Sequence, residues 1–190
     1  MAVGPRSPQG RLPAVLGVLL AACLLITAAT AAGATAPGTF VSHRYGYSVV
    51  LPGGATRWSL APAIVGWSLK TIEPGSPVFD TLTDLATGRR FVIAARRSPR
   101  GTTLAGWTAF AATTISVECT KPTSFSRTTL GGSPAEIFSW RCSDDLNTIG
   151  IAALHGTRGY FMFVPSPTNL SLASNRRAVD VFRRAFRFSR

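Results

Sequence analysis

Few residues in this chain have the types and spacing that chemistry needs. The histidines are His43 and His155, far apart in sequence, and beyond position 36 the cysteines are Cys119 and Cys142. Zinc takes about four tetrahedral ligands, or three and a water, and neither His-Glu-x-x-His nor Cys-x-x-Cys is present, so no metal is expected. A serine hydrolase needs its nucleophile on an exposed turn beside a histidine base and an orienting carboxylate, yet Gly-x-Ser-x-Gly is missing. Gly132-Ser133-Pro134 reads first as a hairpin turn. His155 with Asp144 or Asp145 beside a serine stands as the alternative, a hydrolase-type envelope enzyme. Asp144 and Asp145 are adjacent on a loop, whereas a glycosidase pair must flank a bond at about 5 to 9 Å. No Walker loop or Gly-x-Gly-x-x-Gly fingerprint occurs, so nucleotide binding has no support and no cofactor is expected.

The strongest lead is cationic. Stepping 100° per residue from Arg176 places Arg183 and Arg187 on one ridge, with Arg177 and Arg184 beside it and Val179, Phe182 and Phe186 on the adjoining arc. Such guanidinium groups can grip phosphate or carboxylate through paired hydrogen bonds, as on lipid headgroups or wall polymers. A core-docked helix with a solvated Arg-rich outer face explains the same pattern. Arg89-Arg90, Arg96-Arg97 and Arg100 form a second cluster, read as charges that protect a strand edge. Trp107 and Trp140 fall on apolar faces and read as core; Trp58 and Trp67 are left open.

The elements that must position these residues are mostly hairpins. Thr39 to His43 and Tyr47 to Leu51 flank Tyr45-Gly46; Val78 to Ala86 and Phe91 to Ala95 flank Thr87-Gly88. Phe125 to Leu130 and Ala135 to Cys142 flank Gly131-Gly132, and Asn147 to Leu154 and Tyr160 to Val164 flank Gly156 to Gly159. Between the first two hairpins the pattern predicts a loop and then a strand near Val65 to Thr71. Helical spacing predicts a helix from Leu104 to about Val117, capped by Thr102 or Thr103, and a terminal amphipathic helix from Leu172 to Phe186. Hairpins with one helix inserted and one terminal give an α+β class: a mostly antiparallel β-sheet flanked by helices.

Phe40-Val41-Ser42-His43-Arg44-Tyr45-Gly46-Tyr47-Ser48-Val49-Val50-Leu51-Pro52-Gly53-Gly54 resembles the opening of PsbP-like domains. The resemblance continues through the helix after Pro99, the Leu130 to Ala135 turn, Gly156 to Phe161, and Phe182 to Phe188. It implies an α/β/α sandwich in a superfamily that includes the photosystem II extrinsic subunit and exported actinobacterial proteins, acting mainly as binding or assembly modules. No catalytic residue is shared across it that could be carried over. The strong positive charge of this chain sets it apart from the photosynthetic branch.

The start of the chain carries Arg6 and Arg11, then an uncharged run from Leu12 to Ala36, the form of an export signal, with cleavage favoured after Ala34. Two alternatives stay open: a retained membrane anchor, and a lipoprotein acylated at Cys23 within Leu20-Ala21-Ala22-Cys23. Residues 1–36 are thus a signal peptide or N-terminal membrane anchor, and residues 37–190 a single domain, secreted or otherwise outside the cytoplasm. An oxidising destination pairs Cys119 with Cys142 as a disulfide. Arg6 and Arg11 are the only charges of the leader, so most of the formal net charge of +12 belongs to the domain. The expected partner is an anionic envelope component or membrane surface, or a protein; export disfavours nucleic acid. Together these readings describe an exported, noncatalytic binding or assembly module.

Overall fold

The computed structural model describes residues 38–68, 76–114, 122, 124–141, 147–165 and 170–189, with the backbone alone at positions 141 and 147. All of them fall in the unit Ala36–Arg190. No helix among them is long and apolar enough to cross a membrane. Residues 1–37, Cys23 among them, and Cys119, Cys142, Asp144 and Asp145 lie outside the described residues, and so do the expectations placed on them.

Alternation of inward and outward side chains marks the first hairpin, while the central strands are apolar runs buried on both faces. Thr39–Ser42 (β1) and Tyr47–Val50 (β2) pair antiparallel, with Tyr47 and Val49 turned inward. After a 3-10 turn at Ala55–Arg57 come Trp58–Ala61 (β3), Asp80–Asp84 (β4) and Arg89–Arg97 (β5). Leu104–Thr114 forms α1, and Thr103 caps it, its Oγ1 accepting from the Gly106 amide at 3.1 Å. Then follow Phe125–Leu130 (β6), Ser133–Arg141 (β7), Asn147–His155 (β8), Arg158–Val164 (β9), Leu172–Ala185 (α2) and Phe186–Phe188 (β10). Ser171 caps α2 by accepting from the Ser174 amide at 3.2 Å.

Two sheets result, one in the order β3-β4-β5-β9-β8-β7-β6 and a small one in the order β1-β2-β10, with every pairing antiparallel. Strand β9 shows how the layers stack, because successive side chains leave a strand on opposite faces. Gly159 meets Trp107 of α1, and Phe161 on the same face packs with Phe138 and Trp140, whose indole donates to the Ala112 carbonyl at 3.0 Å. Tyr160, on the other face, donates to the Tyr45 carbonyl at 2.7 Å and packs on Phe188, so α1 covers one face and the small sheet the other. Helix α2 joins the small sheet's side through Phe182, stacked on Phe91 at 4.1 Å. The α+β sandwich with flanking helices is therefore the observed architecture.

Buried hydroxyls stitch the layers together. Tyr47 donates to Asp80 at 2.8 Å, and Tyr45 donates to the Val78 carbonyl. Burial, with Asp80 nearby, pushes the Tyr45 phenol up to about 12. All four tryptophans are buried, which resolves Trp58 and Trp67 as core residues.

Three local expectations are corrected. The strand expected near Val65 to Thr71 is absent over residues 62–68, its remainder at 69–71 lying outside the described residues, and a strand stands earlier, at β3: Trp58 buries its ring and donates to the Pro52 carbonyl at 2.9 Å, which fixes the chain there, and Pro62 ends the strand. Helix α2 stops at Ala185, and Phe186-Arg187-Phe188 continues as a strand, because Phe186 stacks on Tyr47 at 4.5 Å and the alternation suits the edge of β2. Finally, β5 is an interior strand. Arg89 and Arg90 pair with β4, and Arg96 and Arg97 with β9, so edge protection does not account for that cluster.

Candidate functional site

The five arginines expected on one helical ridge are divided by the fold. Arg176, Arg177 and Arg184 are exposed on α2, opposite the buried Asn175, Val179 and Phe182. Arg183 is engaged within the helix, its Nε donating to Asp180 at 2.8 Å. Arg187 sits on β10, where its Nη1 donates to the Arg184 and Phe186 carbonyls. Arg183, Arg184 and Arg187 gather at the negative end of the helix dipole, which is a structural reason for part of the ridge.

The second arginine cluster is also divided, and one half forms a cleft. Arg89 is drawn under α2, donating to Asn175 at 2.9 Å and to Ser174 at 3.1 Å. Arg96 and Arg97 end β5 and lead into the turn Pro99-Arg100-Gly101-Thr102, closed by Thr102 N–H donating to the Pro99 carbonyl at 3.2 Å. Gly101 has φ 78°, which only glycine adopts cheaply, and so Arg100 is presented at the turn's corner. Arg96, Arg97, Ser98, Pro99, Arg100 and Thr157 line a cleft of about 500 Å³. Arg158 stands directly opposite Arg97 in the β5–β9 ladder and also donates to the Arg44 carbonyl at 3.1 Å. The Arg96 guanidinium is held 5.7 Å from the Trp67 ring and 5.5 Å from Phe110, a cation–π arrangement. An adjoining cleft of about 290 Å³ shares Arg96 and Pro99 and is walled by Trp107 and Phe110.

Carboxylates are engaged elsewhere. Among the described residues, Asp80 accepts from Tyr47 and the Ala63 amide, Asp84 from Arg57, and Asp180 from Arg183, while Glu136 faces Arg127 across β6–β7. Arg97, Arg100 and Arg158 thus make no ion pair with any of them. Arg158 went unremarked in the sequence because it was read as part of the Gly156 to Gly159 turn; it opens β9, and only the β5–β9 register reveals the opposed pair.

A third cleft, of about 200 Å³, lies beside α2 over Trp58, Phe91 and Phe182. At its rim, Arg57 Nε and Nη2 donate to the two oxygens of Asp84 at 2.8 and 2.7 Å, and Thr87 and the Ala86 amide donate to the same carboxylate. The Arg57 hydrogen bond, with help from Thr87 and Ala86, pulls Asp84 from 3.8 down to about 2. Because the folded value lies below the unfolded one, the stabilisation is fully present above about pH 4 and is lost as pH falls toward 2. Arg57 is 42% exposed, so after screening the contribution is about 1 to 2 kcal/mol. Denaturant titrations should show Asp84→Asn less stable by that amount at pH 7, with the difference from wild type vanishing near pH 2.

The histidines have different surroundings. His43 is exposed in the β1–β2 turn. His155 Nδ1 lies 2.8 Å from Ser133 Oγ, and its ring stacks on Phe188 at 4.1 Å. The hydroxyl is on the Nδ1 side, where a catalytic triad places its carboxylate. The described carboxylates are engaged as set out above, and Asp144 and Asp145 lie outside the described residues. Among the described residues no group of three His, Cys, Asp or Glu could hold a metal ion.

No family model matches the sequence, and no curated protein is significantly similar to it. Among solved structures, the chain is similar to the solution structure of cyanobacterial PsbP (CyanoP) from Synechocystis sp. PCC 6803. The two share 12% sequence identity, the match covers 86% of this chain and 98% of that one, and the TM-score is 0.54. A likeness at this identity concerns architecture, since one fold hosts many functions. With its two antiparallel sheets and helices on both faces, the chain has a PsbP-like fold.

Proposed function

We propose that the protein is an exported, noncatalytic binding module of the cell envelope whose basic surface holds an anionic partner. One observation carries this reading: Arg97 and Arg100 line one cleft, and neither makes an ion pair with a described carboxylate. The exposed Arg176, Arg177 and Arg184 extend the basic surface to α2. Guanidinium groups suit this task because they stay charged and offer forked donors to phosphate or carboxylate oxygens. The PsbP-like fold is compatible with a binding role and does not by itself select a ligand.

The test is binding of the full chain, held in nonionic detergent, to inorganic polyphosphate. Affinity is expected to fall steeply as salt rises from about 50 to about 300 mM, where the screening length shortens toward about 6 Å. Joint replacement of Arg97, Arg100, Arg176, Arg177 and Arg184 by Gln should remove most of the binding. Affinity that ignores both salt and these substitutions would overturn the reading.

A further inference from the structure

The cleft at the end of β5 carries more information than its charge. Arg97 and Arg158 are partners in an antiparallel ladder, so their side chains leave the same face side by side. Like charges crowd Arg97 from two sides: Arg158 stands opposite it in the ladder, which destabilises a sheet, and Arg100 lines the same cleft as Arg97. Such a cost is recovered when an oxyanion bridges the guanidinium forks. Ser98 and Thr157 line the cleft as well, and the Ser98 amide donates to the Thr157 carbonyl at 3.0 Å, which ties the two segments together before any ligand arrives. The adjoining cleft differs in chemistry: half-buried Phe110 and the edge of Trp107 form an apolar wall, and Thr102 supplies a hydroxyl. A charged compartment opening on an aromatic one fits a ligand with an anionic head and a compact body. A few polar anchors beside an apolar wall is the usual make-up of a small-molecule site.

We propose that this double cleft binds a phosphate ester of a hydroxylated ring, with the phosphoryl group held by Arg97 and Arg100 and the ring resting on Phe110 and Trp107. The proposal rests on the anionic-partner reading and narrows it to one site and one ligand class. The ester could be a free sugar phosphate or a lipid headgroup, and the two are separated by probe.

Tryptophan fluorescence of the full chain in nonionic detergent reads the site, because Trp107 lines it and Trp67 stacks on Phe110 at 5.8 Å. Glucose 1-phosphate should give a saturable change below about 10 mM, inorganic phosphate a weaker one by about tenfold, and glucose none. An Arg97→Gln/Arg100→Gln double variant should bind glucose 1-phosphate at least about tenfold more weakly, while Arg127→Gln, on the exposed side of β6, should match wild type. Both arginines are exposed and the double variant relieves the Arg97–Arg158 repulsion, so its melting temperature should equal or exceed that of wild type. A saturable response to phosphatidylinositol in mixed detergent micelles with none to glucose 1-phosphate assigns the site to lipid, and the reverse assigns it to a soluble ester. Equal responses of the double variant and wild type, or no saturable response to either probe, would overturn the proposal. If polyphosphate still binds with its steep salt dependence in that case, the anionic-partner reading survives alone; if polyphosphate binding is absent too, both fall.

Discussion

Phe182→Ala is expected to destabilise the domain by about 3 to 5 kcal/mol, the cost of removing a fully buried aromatic ring and leaving a cavity. Phe182 is wholly buried, stacked on Phe91 at 4.1 Å and tilted against Trp58 at 6.1 Å. It joins α2 to β5 and Trp58 of the large sheet, so its loss also loosens the Arg89 bonds to Ser174 and Asn175. For a domain of this size the melting temperature should fall by roughly 6 to 20 °C. Val181→Ala is the internal control: Val181 is 52% exposed on the same helix and should change stability by no more than about 0.5 kcal/mol. Denaturant unfolding of the two variants checks the contrast. A Phe182→Ala loss below about 1 kcal/mol would mean that α2 is not anchored as described.

The second large effect is expected at Gly159, where a β-carbon would lie 2.3 to 2.6 Å from three atoms of the Trp107 ring. The ring has little room to retreat, since its Nε1 donates to the Tyr160 carbonyl at 2.8 Å, one residue along the same strand. Gly159→Ala must therefore lift α1 or bend β9. Overpacking of this kind costs about 1 to 3 kcal/mol, and the backbone contact puts this case at the upper end. Near-ultraviolet circular dichroism should change together with stability, because the displaced group is an indole. The same displacement would shift the aromatic wall beside Arg96 and Pro99, so the variant should also respond less to glucose 1-phosphate. Unchanged stability would show that α1 does not press on β9.

Hairpins were legible in the sequence because their cause is local. Short runs of β-branched and aromatic residues such as Tyr47–Val50, Phe125–Leu130 and Tyr160–Val164, with Gly-rich turns between them, set strand and turn within a few residues of each other. Pairings between distant segments were not legible: nothing near Arg97 announces that β9 will lie beside it, and so the opposition of Arg97 and Arg158 appears only in the folded chain. Arg89 misled for a related reason, since composition counts it as surface charge while Ser174 and Asn175, far along the chain, supply the acceptors that let it be buried. Arg187 was assigned to a helix by extending a 100° step past Ala185. The two-residue alternation of Phe186 and Phe188 was present in the sequence and, given its due, would have ended the helix there.

The pairing of β10 with β2 has a consequence in time. Phe186, Arg187 and Phe188 register against Val49, Ser48 and Tyr47, so the third strand of the small sheet is synthesised long after its partner. Closing so long a loop is slow, and it cannot begin until the ribosome has passed Phe188. Until then the emerging polypeptide holds Tyr47 without its stacking partner Phe186, and the small sheet stays a loose two-stranded hairpin.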